Sequence, residues 1–269
     1  MACNARSLTS MPFTLAHPAA VLPFHSKWRT GFLALVIGSL GPDIQYFLPA
    51  GIGESLPNSH TAFGAIAVGV PMSLLLFTFA VSCRRAIVAP MWGWTRLAVE
   101  RTLDRAWQTP MAWLHAVPAA AVGCEIHVLW DSFTHTTGWA VRHFPLLSRN
   151  LSPVAEHPLE LFRVLQYVSS IVGMVFIALW CRRHIHAASH IKAVAAGWRP
   201  WAWLSLLAIS SGAAWYAARH AGPGRTSLHG FIYVAVTVAV GVFTALYVVL
   251  GAIAATLPIE RTTTVQGRE

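Results

Sequence analysis

Six apolar stretches, near residues 31–49, 62–82, 112–131, 164–181, 201–218 and 229–257, constrain this chain more than any other feature. A helix needs about 20 apolar residues to cross a bilayer core, and each stretch approaches that length. Backbone in lipid must satisfy its own hydrogen bonds, so such a chain folds as helices. The pattern predicts an all-α, polytopic transmembrane bundle of about six spans. The last stretch is longer than needed and is expected to tilt or protrude. The first contains Gly41-Pro42-Asp43, which interrupts regular helix and places an acid at depth. Residues 12–24 are apolar but too short to span, and an interfacial or re-entrant segment is expected there.

Composition agrees with this reading. Only 11% of residues are charged and 55% are hydrophobic, with a mean hydropathy of +0.55; soluble domains average about 25% charged. The net charge of +9 would suggest nucleic acid in a soluble protein. Here the bases lie between apolar runs, where the positive-inside rule accounts for them and no nucleic-acid partner is expected. With the N-terminus inside, the inner segments hold 14 of the 19 Lys and Arg residues, including Arg84, Arg85, Arg96, Arg101 and Arg105. Both termini are therefore expected in the cytoplasm of an inner-membrane, multi-pass protein. Trp92, Trp94, Trp107 and Trp113 fit an aromatic belt at one interface, and Trp130 and Trp139 at the other.

No internal repeat or separate soluble domain is visible. Residues 11–258 read as a single membrane-embedded helical domain, 1–10 as a disordered extension and 259–269 as a cytoplasmic tail. No secretory signal is recognisable, and Met11 begins the patterned part. Residues 83–111 are expected to include a surface helix on the inner leaflet. Cys3, Cys83, Cys124 and Cys181 form no C-x-x-C pair, so neither a disulfide framework nor a cysteine zinc site is indicated.

The chemistry concentrates in His-Val-Leu-Trp-Asp-Ser-Phe-Thr-His, residues 127–135. Steps of four residues turn a helical side chain by only about 40°, so His127, Asp131 and His135 share one face. The rise separates His127 and His135 by roughly 12 Å along the axis, so a regular helix does not bring both to one ion. His127 with Asp131 could hold one metal, and Asp131 could bridge to a second about 3.5–4 Å away. In the six-span topology Asp43 and His60 fall in the same outer layer. No base lies near Asp43 in sequence, and a buried carboxylate is costly unless paired or metal-bound. Asp43, His60, His127, Asp131 and, if its segment re-enters, His17 are the candidate metal ligands. Asp131 and His135 are the candidate catalytic residues, His135 as a proton carrier or a support for a ligand. A divalent ion, zinc first, suits this imidazole and carboxylate set.

Other polar residues read more simply. Glu125 is turned about 200° from His127, towards another helix. Cys124 lies one turn before His127 and reads as a small buried residue. His184, His186 and His190 follow Arg182-Arg183 and read as a solvated basic patch. His157-Pro158 and Gln166 lie near the outer end of the fourth span; a structural role is favoured for both. No Walker loop, dinucleotide glycine motif or nucleophile elbow occurs.

Four motifs together resemble a known family. They are Met11-Pro-Phe-Thr-Leu-Ala-His17-Pro, Gly38-Ser-Leu-Gly-Pro-Asp43, His60-Thr and His127-x-Leu-Trp-Asp131-Ser-Phe-Thr-His135. They look like an uncharacterised bacterial integral-membrane family defined by a domain of unknown function. That family is similar to inner-membrane proteins described as metal-dependent hydrolases. More distantly, the His-x-x-x-Asp element resembles the helical zinc-dependent phospholipase C group. The resemblance implies His127 and Asp131 as ligands, with Asp43 and His60 as companions. The resulting expectation is a membrane-embedded metal-dependent hydrolase of a phosphoester or lipid, with membrane lipid as its surroundings and a small-molecule or lipid substrate. A transporter or proton-coupled channel, and a non-catalytic structural membrane protein, are the alternatives.

Overall fold

The computed structural model describes residues 14–48, 51–152, 159–186, 197–221 and 228–256. The expected extension (1–10) and tail (259–269) lie outside them, as do Met11, Cys3, His157, Pro158 and His190. The side chains of Trp94, His184 and His186 also lie outside the description.

Among the described residues every element is helical, apart from one isolated bridge between Asn150 and Glu160. The main helices are α1 (Phe32–Gly38), α2 (Ala62–Ser82), α3 (Gly93–Gln108), α4 (Pro110–Thr134), α5 (Leu161–His186), α6 (Arg199–Arg219) and α7 (Leu228–Thr256). Four helical stretches are long and apolar enough to cross a membrane: Ala62–Ser82, Pro110–His143, Leu161–Arg183 and Val234–Thr256. They contain the expected stretches 62–82, 112–131 and 164–181 and most of 229–257. The fifth expected span, 201–218, is the helix α6. It is long enough, but tryptophans, serines and terminal arginines dilute its apolarity.

The first expected span, 31–49, is not one helix. α1 ends at Gly38, and a 3-10 helix runs over Gly41–Phe47. Pro42 has no N–H to donate, and its ring clashes with the backbone of a continuing helix. Ser39 turns its hydroxyl back onto the Val36 carbonyl at 2.7 Å. The Asp43 N–H then bonds the Leu40 carbonyl at 3.2 Å. In a regular helix that N–H would take the Ser39 carbonyl. The break therefore leaves the Ser39 carbonyl free for another partner.

Small residues let α1 and α4 meet backbone to backbone. A Cβ on Gly38 would stand 2.5 Å from the Ala120 carbonyl oxygen, and one on Gly123 would run into the Leu35 carbonyl. Such close approach is a usual route to helix association in membranes, where apolar burial drives little. Leu35, Phe77, Val81, Ala116 and Ala119 form the core around this contact. α3 lies over the core through Leu103 and Ala106, and Arg84 pairs with its Asp104 at 2.9 Å. α6 and α7 pack on each other. They are pinned to residues 87–90 by Arg199 donating to the Ala89 carbonyl, Trp203 to Pro90 and Tyr247 to Ile87.

The apolar N-terminal segment forms a 3-10 helix, Thr14–Ala20, packed against α5. Gly173 permits this, since a Cβ there would lie 3.2 Å from the Ala16 Cβ. The segment delivers His17 into the interior, where it is buried.

Candidate metal centre

Three segments build the site. The broken end of α1 supplies Asp43, the loop before α2 supplies His60, and the last turns of α4 supply His127 and Asp131. Gly123 sits one turn before His127, so the backbone contact between α1 and α4 sets the distance across which these groups face.

His127 is oriented from outside the cluster. Its Nδ1 lies 2.8 Å from the Ser39 carbonyl oxygen, an acceptor only, so Nδ1 carries the proton and donates. Nε2 then points inward. His60 is held similarly. Ser59 Oγ donates to the Pro42 carbonyl at 2.7 Å and lies 3.2 Å from His60 Nδ1, leaving its lone pair to accept from that nitrogen. Gln45 supports this loop: its amide N–H groups donate to the Gly53 and Pro57 carbonyls, and its oxygen accepts from the Ser59 N–H. Thr61 caps the start of α2, accepting from the Gly64 N–H. The helix then passes through a π turn at Ala65–Gly69, a distortion frequent near functional sites.

The two inward nitrogens are 3.4 Å apart. His60 Nε2 lies 3.0 Å from Asp43 Oδ1 and 3.4 Å from Asp131 Oδ2. His127 Nε2 lies 3.2 Å from Asp131 Oδ2 and 3.6 Å from Asp43 Oδ1. All four donor atoms fall within 4.8 Å of one another, and the cluster could hold a metal ion. Asp43 is 1% exposed and His127 likewise 1%. Asp43 Oδ2 and both Asp131 oxygens are buried without a well-formed hydrogen bond. Carboxylates in that condition are costly unless a cation stands beside them.

The remaining expected residues flank the cluster. His17 stacks on His127 with ring centroids 3.9 Å apart. Its Nε2 is 3.6 Å from Asp131 Oδ1. Burial, with His127 beside it, pushes the His17 pKa down against the pull of Asp131 and Asp43. His135 Nδ1 is 3.5 Å from the same Asp131 oxygen. Asp131 thus turns Oδ2 to His60 and His127 and Oδ1 to His17 and His135. His17, whose place could not be counted from the chain, belongs beside the others. Cys124 does not join them; its thiol lies against Ser73 Oγ at 3.6 Å. Glu125 is also outside the cluster. Ser39, Ser59 and Gln45 went unmarked in the sequence. The signal that could have found the loop is the Asn-Ser-His-Thr run before an apolar stretch, an N-cap pattern.

Fold and cluster together define a helical, membrane-embedded protein with a buried His/Asp centre. The chain belongs to the DUF4184 family, a domain of unknown function that it matches over residues 11–255. No curated protein and no solved structure matches it.

Proposed function

We propose that this protein is a membrane-embedded, zinc-dependent hydrolase acting on a phosphoester at the edge of the bilayer. The observation that carries this is the spacing of the four inward donors. Zinc bonds of about 2.0–2.2 Å place tetrahedral donors about 3.3–3.6 Å apart. Five of the donor separations in the cluster run from 3.0 to 3.6 Å. The chemistry of the set, two imidazoles and two carboxylates, suits zinc among divalent ions. A bound divalent ion would supply Lewis acidity and a water of lowered pKa.

The protein's own residues take the other roles. Ser39 and Ser59 fix the two imidazoles with their lone pairs inward. Asp131 ties the metal-facing pair to His17 and His135 through its second oxygen. His135 and His60 are the more accessible members, their side chains 12% and 14% exposed. In this reading His135 would accept the proton released when water attacks and return it to the leaving oxygen. Asp131 and His135 are the catalytic pair in this reading, and His17 is an auxiliary ligand or a neutral wall. A multi-pass arrangement in an inner membrane, with α6 as a further crossing, completes it.

Metal analysis tests the proposal. Purified protein loaded with zinc and desalted is expected to retain about one ion per chain. His127→Ala and Asp131→Ala are expected to retain less than a tenth as much. Equal, metal-free preparations of all three would sink the reading. Uptake into proteoliposomes that depends on Asp43, without hydrolysis, would turn the assignment to a transporter.

A further inference from the structure

A cavity of about 420 Å³ lies beside the centre, between the Thr14–Ala20 helix, α4 and α5. Its size falls within the range of small-molecule sites, about 300–1,000 Å³. The small residues Ala16, Ala19, Ala20 and Gly173 line it on the side where the Thr14–Ala20 helix meets α5. His17, whose ring stacks on His127, forms part of its wall, so cavity and cluster are neighbours.

The wall is polar at one end and apolar at the other. Along α5 it presents Gln166, then Val172 and Phe176. At about 1.5 Å per residue, Gln166 and Phe176 are roughly 15 Å apart along the axis. Gln166 is 5% exposed, and its amide Nε2 is buried with no hydrogen-bond partner among the described residues. A buried donor left unmatched is costly. The hydroxyls of Ser169 and Ser170 donate to the Gln166 backbone carbonyl at 3.1 and 2.8 Å, and neither accepts from the amide. Val168 and Val172 are 52% and 60% exposed on a helix that can cross a membrane, so the cavity borders the lipid side.

We propose that this cavity seats the alkyl chain of an amphiphilic phosphoester taken from the bilayer. The chain lies along α5 towards Phe176. The Gln166 side chain turns its unmatched amide towards the cavity to donate to an acceptor oxygen of the head group, and the head group meets the His/Asp cluster past His17. The head-group assignment rests on the hydrolase reading. The chain assignment rests on the cavity and on Gln166.

The test uses dodecyl phosphate with a photoreactive diazirine at the chain terminus, added to protein in phosphatidylcholine vesicles. Label mapped by peptide mass spectrometry is expected on residues 165–176 and 16–20. Ala20→Trp, which fills the cavity, is expected to lower the yield at least five-fold. Gln166→Leu removes an unmatched buried amide, so it should fold, and is expected to lower the yield several-fold. Unlabelled dodecyl phosphate should compete, and inorganic phosphate at the same concentration should not. Both variants should keep the zinc content of the parent protein. Label spread over α6 and α7, or unchanged by Gln166→Leu, would overturn the chain site even where zinc binding stands. Label confined to the cavity and lost in Gln166→Leu, in a protein that holds no zinc, would uphold the chain site and refute the hydrolase reading alone.

Discussion

His127 Nδ1 meets the carbonyl oxygen of Ser39 at 2.8 Å, and that oxygen is available only because α1 breaks there. The interruption that spoils a membrane span also builds the centre. One proline sets the helix end, frees a carbonyl, fixes the tautomer of a histidine on another helix and presents Asp43 opposite it.

Pro42→Ala tests this link. Alanine restores an N–H and lets the helix run on, so the Ser39 carbonyl can be drawn back to the Asp43 N–H. His127 would lose the acceptor that orients it. Loss of such a support lowers metal affinity by about 10- to 100-fold. Zinc titration in detergent should show a drop of that size while the helical circular dichroism is retained.

The α1–α4 contact should tolerate no side chain at Gly123. A Cβ there runs into the Leu35 carbonyl and comes within 2.7 Å of the Ser39 nitrogen, both backbone atoms. Overpacking of this kind costs about 1–3 kcal/mol. Gly123→Val is therefore expected to lower the unfolding midpoint by several degrees. Because α1 must move away, zinc affinity should fall with it. Gly212→Ala, where a Cβ meets nothing within 4 Å, should leave both unchanged.

Ser59→Ala keeps every donor atom of the cluster and removes only the hydroxyl beside His60 Nδ1. The imidazole is then free to turn or change tautomer. We expect zinc affinity to fall about ten-fold, by the same reasoning on supporting contacts. Gln45→Leu should do more. It strips the acceptor from the Ser59 N–H and the donors from Gly53 and Pro57, at about 1–3 kcal/mol for each buried group left unmatched. Thermal unfolding compared with zinc titration separates the two effects.

Much of this was legible in the chain, for reasons particular residues make clear. The apolar runs that became α2, α4, α5 and α7 are set by length and hydropathy, which composition records directly. The four-residue spacing of His127, Asp131 and His135 asked for one shared face, and both histidines reach Asp131, at opposite oxygens; His135 leaves the helix in extended backbone, so the helical rise does not measure its distance from His127. The segment 31–49 has the apolarity of a span, but the Gly41-Pro42-Asp43 interruption visible in the sequence ends its helix at Gly38. His17 was ambiguous because its place depends on Gly173, far along the sequence. Ser39 acts through its backbone, and no residue type announces a free carbonyl.

Asp43→Asn gives the sharpest separation of metal binding from folding. The substitution keeps shape and removes one charge from a carboxylate that is 1% exposed and whose Oδ2 has no hydrogen bond. In the metal-free protein Oδ1 lies 3.0 Å from His60 Nε2, so loss of the charge also removes a paired contact and is expected to lower metal-free stability somewhat. Its value as a zinc donor, however, is largely lost. Zinc at 100 times its Kd stabilises a folded protein by about 2.7 kcal/mol, provided the unfolded chain does not bind it. The parent protein should therefore show a rise of several degrees in Tm on adding zinc, reversed by a chelator. Asp43→Asn should stay folded without metal and show no rise in Tm with zinc. A variant that unfolds early without metal would mean that Asp43 holds the fold through its contact with His60. A variant that still gains stability from zinc would place the ion elsewhere.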